Sequence, residues 1–241
     1  MNGAEGALAG RVLFVEGAPR SGTSLLTALL AAHPEIAATA AESHLFDSAR
    51  GVGSLFDNYE GQPPYRSHLV AYLSRERLVE LIRALCDGVL EEMRSHTAPN
   101  ARFVVEKTPG AAVNPQLSYR RKLECYPDGW FLHVVRDPES VTRSLMRAPW
   151  SPDRSRAASR RWADGVVTAV RATLSDHPRY REITYEDLVS DPVATLDGVF
   201  GWLGLATDAQ VGERVRLLSR QRFAEHVAAR PRAGPRRLGQ R

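Results

Sequence analysis

The chain has 241 residues, 43% of them hydrophobic and 25% charged, with a formal net charge of +4. This is the composition of one globular domain; no stretch approaches the roughly eighteen apolar residues of a membrane span, and MNGAEGALAGRVLF lacks the basic start and apolar run of a secretory signal. Two cysteines, Cys86 and Cys125, allow at most one bridge, so a disulfide scaffold is excluded and a cytoplasmic location is expected.

Strand-like and helix-like segments alternate along the chain. Residues 11–18 (RVLFVEGA) are rich in β-branched and aromatic residues and read as a strand, and SLLTALLAAH behind them has the apolar density of a buried helix. The short apolar run 36–39 is the second strand. Residues 51–67 (GVGSLFDNYEGQPPYRS) read as a long loop able to cover a site. Residues 78–93 carry apolar side chains at three- and four-residue spacing and predict an amphipathic helix; 102–106 (RFVVE) is a buried strand. Residues 130–135 (WFLHVV) form another strand, with helix over 139–147 behind it. A long helix over 157–174, a weak strand at 181–184 and a helix over 192–203 complete the pattern. Strands separated by helices imply a parallel sheet with helices on its faces, and no internal repeat or linker divides residues 1–241 into more than one domain.

The charge is uneven. Residues 211–241 hold nine arginines against Glu213 and Glu225, leaving the body of the chain mildly acidic. A basic segment of this kind suits an anionic partner or stands solvated, and charge alone favours the solvated reading, so no nucleic-acid partner is expected. Among 32 basic residues only Lys107 and Lys122 are lysines, which makes each of them conspicuous.

The first chemical constellation is Gly17-Ala-Pro-Arg-Ser-Gly-Thr-Ser24, between the predicted first strand and first helix. A turn there aims unpaired helix N-terminal N–H groups at one point, an anion cradle. The spacing matches G-x-x-x-x-G-K-[ST], except that Thr23 stands at the lysine position and the cation comes earlier, at Arg20. Loss of that lysine argues against nucleotide hydrolysis.

GAPRSGTSLLTALLAAHP resembles the 5′-phosphosulfate loop of sulfotransferases that use 3′-phosphoadenosine-5′-phosphosulfate (PAPS), in particular the bacterial and tyrosylprotein-type branches. VVRDPESVTRSLM is similar to the family's 3′-phosphate motif, a strand ending in Arg-Asp-Pro followed by a helix with a serine; those residues are Arg136 and Ser144. An arginine at a strand end can fork onto a phosphate, and Ser144, two turns along, can add a hydroxyl. Glu106-Lys107-Thr108-Pro109 resembles the element whose lysine reaches the bridging oxygen of the leaving phosphate, and TYEDLVSDP the late element whose tyrosine, here Tyr185, lies beside the nucleotide.

The resemblance implies a P-loop-like α/β fold and transfer of a sulfuryl group from PAPS to a hydroxyl of a small-molecule acceptor, releasing 3′-phosphoadenosine-5′-phosphate (PAP), with no metal. Arg20, Ser21, Gly22, Thr23 and Ser24 would hold the 5′-phosphosulfate, Arg136 and Ser144 the 3′-phosphate, and Tyr185 the nucleotide. Lys107 would meet charge growing on the leaving oxygen, a task for a compact ammonium that can also release a proton. Glu42 in Ala-Glu-Ser-His is the preferred general base, within one residue of the tyrosylprotein branch's glutamate; His44 competes, its ordinary pKa suiting neutral pH. The other histidines show no metal-ligand spacing, and His133 inside WFLHVV reads as a core residue. Phe56, Tyr59, Tyr65 and Tyr72 offer aromatic surface for an apolar acceptor. A nucleotide kinase-like phosphotransferase and a non-catalytic nucleotide-binding module remain as alternatives.

Overall fold

Valine, leucine, phenylalanine, valine and glutamate at 12–16 form a strand buried along its whole length, β1 (Val12–Glu16). Burial on both faces is what a central parallel strand requires. The structure, a computed structural model, describes residues 8–39, 42–47, 51–61, 68–108, 115–151, 153 and 155–228, with no side chain described at 68, 69 or beyond 222. Four further strands are β2 (Ile36–Ala37), β3 (Phe103–Glu106), β4 (Trp130–Val135) and β5 (Tyr180–Thr184). They form one sheet in the order β2-β3-β1-β4-β5, and every pairing is parallel.

Alternation along the strands splits the core in two. Val12, Phe14 and Phe131 point to one face, where they meet Leu78, Ile82 and Leu90 of α3 (Arg75–Thr97), Tyr119 of α4 (Pro115–Cys125) and Val166 and Val170 of α6 (Arg156–Leu174). Leu13, Val15, Leu132 and Val134 point to the other, against Leu26 and Leu29 of α1 (Thr23–Leu30), Val199 of α8 (Pro192–Trp202) and Val211 and Val215 of α9 (Ala209–Ala228). Helices therefore cover both faces, as the alternating sequence pattern predicts. Two further helices, α5 (Pro138–Met146) and α7 (Tyr185–Ser190), each begin at a strand's C-terminal end. Asp137 caps α5 by accepting from Ser140 N–H at 2.8 Å, and Pro138 opens it at the position where a missing N–H costs nothing.

Three segments differ from their sequence pattern. Within 51–67, residues 53–60 are not loop but helix α2 (Gly53–Glu60); residues 62–67 lie outside the described residues. Its local signal is poor, and tertiary contacts decide it. Buried Arg121 of α4 donates to Gly53 O at 3.2 Å, Asp57 at 2.7 Å and Glu60 at 2.7 Å, with its guanidinium over the Phe56 ring. Phe56 is consequently core, not acceptor surface; Tyr59 binds Leu73 O, Tyr72 is exposed, and Tyr65 is outside the described residues. The α4 segment, PQLSYRRKLEC, has a basic sequence that hides its helix. The basic segment 211–241 starts as part of α9, whose Val211 and Val215 are buried against the sheet; the RPRAGPRRLG stretch at 230–239 is outside the described residues.

Candidate functional site

In this strand order the connection leaving β1 runs to one side, toward β2, and that leaving its neighbour β4 runs to the other, toward β5, and such a reversal opens a crevice at the strands' C-terminal ends. The predicted site residues converge there. Between β1 and α1 the chain turns through Arg20 at φ +75° and Gly22 at φ +107°, the latter occupying the N-cap of α1. Gly22 is required on two counts. Its φ lies in the left-handed region, and a Cβ there would stand 2.4 Å from Cδ2 of Tyr185. The loop is thus held against the first residue of α7, a contact between segments far apart in sequence.

Arg20 Nε donates to Ser144 Oγ at 2.9 Å, and Arg136 Nη1 donates to Arg20 O at 3.0 Å. The Arg136 guanidinium lies 4.1 Å from the centroid of the Tyr185 ring, which fixes its plane. Arg20, Arg136, Ser144 and Tyr185 therefore make one cluster beside the N-terminus of α1. Within it, Ser21 Oγ and Arg136 Nε are buried without a hydrogen-bond partner. Two orphaned donors at a helix N-terminus, with two guanidinium groups, fit a phosphate or sulfate ester.

A second cluster lies on the other side of the loop. Lys107, 3% exposed, follows β3 and donates from Nζ to Ser24 Oγ at 3.0 Å; the same ammonium is 3.4 Å from Glu42 Oε1. Ser24 stands where a nucleotide-hydrolysing loop presents the hydroxyl that holds magnesium, and here that hydroxyl receives an ammonium. Glu42 Oε2 lies 3.5 Å from His44 Nε2, so the two candidate bases are adjacent and only Glu42 is paired with Lys107. Ser43 N–H donates to Lys107 O at 3.1 Å, tying the two segments together.

Of the predicted residues, Arg20, Arg136, Ser144 and Tyr185 meet in the first cluster and Ser24, Glu42 and Lys107 in the second, while Ser21 and Gly22 shape the loop between them. Thr23 contributes its backbone, its carbonyl accepting from Thr27 Oγ1 at 2.9 Å. The sequence pattern did not single out the wall facing Arg136. A cleft of about 260 Å³ runs between the loop and α6, lined by Ser21, Arg136, Val141, Asp164, Thr168 and Arg171. These α6 residues read as an ordinary exposed helix face because nothing in their spacing marks what they face. Arg171 is anchored by Glu182 at 2.7 and 2.9 Å, and this pairing holds the Glu182 carboxyl down at about 2. Arg160 pairs with Asp164 on the exposed side, and Trp162 packs on Trp150. His133 is fully buried, as its sequence context predicts, with Nδ1 on Tyr180 Oη and Glu182. Among the described residues no group of three or more His, Cys, Asp or Glu could hold a metal ion, and no helix is long and apolar enough to cross a membrane.

A parallel α/β sheet with a glycine-capped loop before the first helix, an arginine after its fourth strand and a lysine after its third defines a P-loop-like fold. Residues 13–209 match the family model described as "Sulfotransferase family", and the chain belongs to that family. An omega-hydroxy-beta-dihydromenaquinone-9 sulfotransferase, Stf3, of Mycobacterium tuberculosis is 33% identical over 107 residues, 38% of this chain and 28% of that protein. Protein-tyrosine sulfotransferase 2 of Gallus gallus is 24% identical over 201 residues, 81% of this chain and 51% of that protein. The chain thus matches about half or less of the length of these relatives. In fold it resembles the sulfotransferase domain from the curacin biosynthetic pathway, with a TM-score of 0.56 at 21% identity, covering 83% of this chain and 76% of that one. The sulfotransferase domain of the Synechococcus PCC 7002 olefin synthase is similar to the same degree, TM-score 0.56 at 20% identity, over 89% and 82% of the two chains.

Proposed function

We propose that the protein transfers a sulfuryl group from PAPS to a hydroxyl of a small-molecule acceptor and releases PAP. The observation that carries this reading is the placement of Lys107, whose ammonium sits on Ser24 Oγ at the mouth of the anion cradle and 3.4 Å from Glu42. PAPS, when bound, supplies the activated sulfuryl group. The chain's own residues do the rest. Loop N–H groups from Ser21 to Ser24 bind the 5′ anion together with Arg20. Arg136, its plane set by Tyr185, and Ser144 bind the 3′-phosphate.

Lys107 holds a proton-bearing ammonium where negative charge grows on the leaving oxygen, and burial strengthens that electrostatic effect. Glu42, exposed enough to meet an acceptor, takes the proton of the attacking hydroxyl. His44 touches Glu42 but not Lys107, which supports Glu42 as the base. The ammonium on Ser24 also speaks against the kinase-like alternative, because the hydroxyl needed for magnesium is already engaged. A small-molecule acceptor is favoured by the higher local identity to the sulfotransferase named for an omega-hydroxy quinone than to the one named for protein tyrosine.

The test is a thermal-shift titration with PAP, repeated on Arg136→Ala, followed by transfer assays with PAPS and a panel of alcohols, phenols and a tyrosine peptide. Stabilisation of the wild type that is lost in Arg136→Ala, with transfer to a small alcohol or phenol, is the expected outcome. No stabilisation, or equal stabilisation of both proteins, overturns the reading, and transfer to the peptide alone overturns the acceptor class.

A further inference from the structure

The second lysine of the chain has no part in the site described above, yet it is 1% exposed and placed directly beneath it. Lys122 reaches from α4 to Glu16 Oε1 at 2.6 Å and Glu106 Oε2 at 3.4 Å. Its ammonium also lies 5.4, 5.8 and 5.7 Å from the ring centroids of Phe14, Phe46 and Tyr119. Glu16 is the last residue of β1, immediately before the phosphate loop, and Glu106 the last of β3, immediately before Lys107. Both carboxylates are fully buried.

Glu106 extends the brace upward. Its Oε1 accepts from Ser43 Oγ and from Thr108 Oγ1, each at 2.5 Å. Ser43 is the neighbour of Glu42, and Thr108 the neighbour of Lys107. One buried ammonium therefore cross-links the ends of two strands and, through a single carboxylate, the segments on either side of the Glu42–Lys107 pair.

Such an arrangement is a poor way to gain stability. Desolvating an ion triad is costly, and well-packed apolar side chains commonly serve as well or better. Burial drives the Glu16 carboxyl upward despite Lys122 beside it, and Tyr119 Oη stays buried without a partner. What the triad supplies is directional: a Lys122–Glu16 hydrogen bond, an ion contact from the same ammonium to Glu106 Oε2, and two hydroxyl donors on Glu106 Oε1, which together fix two loops as reacting groups need and a core does not.

We infer that Lys122 is a positioning residue that, through Glu106 and its two hydroxyl donors, holds Lys107 and Glu42 in their working register. The inference rests on the proposed roles of those two residues, and its test is separable from theirs because the chain contains only two lysines. Lysine labelled with 13C at Cε gives two resonances, and the one that remains when Lys122 is replaced belongs to Lys107.

Three variants are compared with the wild type. Glu16→Gln keeps the ammonium on Glu106 and serves as the reference. Glu16→Gln/Lys122→Met removes one charge of each sign and leaves Glu106 with its two hydroxyl donors but no anchor. Ser43→Ala/Thr108→Val leaves all three buried charges in place and cuts the link to the site, so it answers the question even where the lysine variant does not fold.

The expected result is a fall in kcat of about tenfold or more in both double variants, with KM for PAPS and the thermal shift by PAP near those of the reference, since a lost positioning contact acts on the transition state rather than on donor binding. The Lys107 resonance moves in the same direction as it does in Glu42→Gln. Loss of melting temperature with unchanged kcat and an unmoved Lys107 resonance in Ser43→Ala/Thr108→Val reduces the triad to a structural role and overturns the inference. Should the wild type neither bind PAP nor transfer from PAPS, the proposed function falls, and the Lys107 resonance still decides the positioning.

Discussion

Glu42 and Lys107 stand 3.4 Å apart although 64 residues of chain, a helix pair and a strand intervene, and the link between their segments is the Ser43 N–H on Lys107 O. The pair joins a carboxylate open to solvent with an ammonium that is 3% exposed. An acid–base couple of this kind has one member that meets the acceptor and one that faces the donor.

Replacing Glu42 by Gln keeps the shape and removes the proposed base. Sulfuryl transfer should fall by about 10²–10⁴-fold, the usual worth of a positioned base, with PAP-induced stabilisation retained. His44→Gln, by contrast, should cost less than Glu42→Gln at neutral pH. Steady-state assays on both variants check the order, and a larger loss in His44→Gln reverses the assignment.

Arg136→Ala removes a guanidinium that is stacked on Tyr185 and bonded to the loop through Arg20 O. A charge-assisted contact of this type is worth about 1.5–3 kcal/mol, so the Kd for PAP should rise by about 10- to 100-fold. Isothermal titration measures it. Tyr185→Ala should weaken PAP binding by less, because it loosens the arginine without removing it.

Gly22→Ala should abolish the PAP response. The backbone strain at φ +107° costs on the order of 1–3 kcal/mol, and the added methyl meets the Tyr185 ring. Combining it with Tyr185→Ala relieves the collision but not the strain, so the double variant should recover part of the melting temperature. Full recovery would show that the φ at this position is not constrained.

Stability should fall with acid in a window set by His133. Burial holds its pKa down at about 4 against 6.5 for a free imidazole, so the unfolded chain takes up the proton first. The stability is then complete above pH 6.5 and is lost as pH falls from 6.5 toward 4, an effect on the order of 1–3 kcal/mol. Glu182, held low by Arg171, adds a separate loss between 4.5 and about 2. Urea unfolding of wild type and His133→Leu across pH 7.5 to 4.5 tests the first window, where the variant should show the flatter dependence.

The loop at 17–24, Arg136 and Lys107 could be placed from the sequence because each directly follows a strand, and Ser144 because it stands two turns along the helix behind Arg136. The five strands and the helices α1, α3, α5, α6 and α8 were legible for a related reason: apolar periodicity is a local property. The helices α2, α4, α7 and α9 were not, and α7, at six residues, is too short to show a period. α2 is a helix because Arg121 of α4 binds Gly53, Asp57 and Glu60 from outside, and among its described side chains α9 buries Val211 and Val215 with Leu218 partly buried, a sparse apolar stripe beside its arginines. α4 is the opposite case, with Arg121 and Lys122 turned inward, Lys122 to the buried Glu16 and Glu106.

Composition alone marked both lysines as exceptions in an arginine-rich chain, and the family motif gave only one of them a role. What Lys122 touches depends on which strand ends the sheet order brings together, and β1 lies beside β3 only after the chain has passed through β2 at the edge. A buried charge is defined by its partners and by the water excluded around it, both products of the packed fold. The sequence by itself determined the family and the loop that joins the first strand to the first helix. Only the tertiary structure decided which acid each lysine meets.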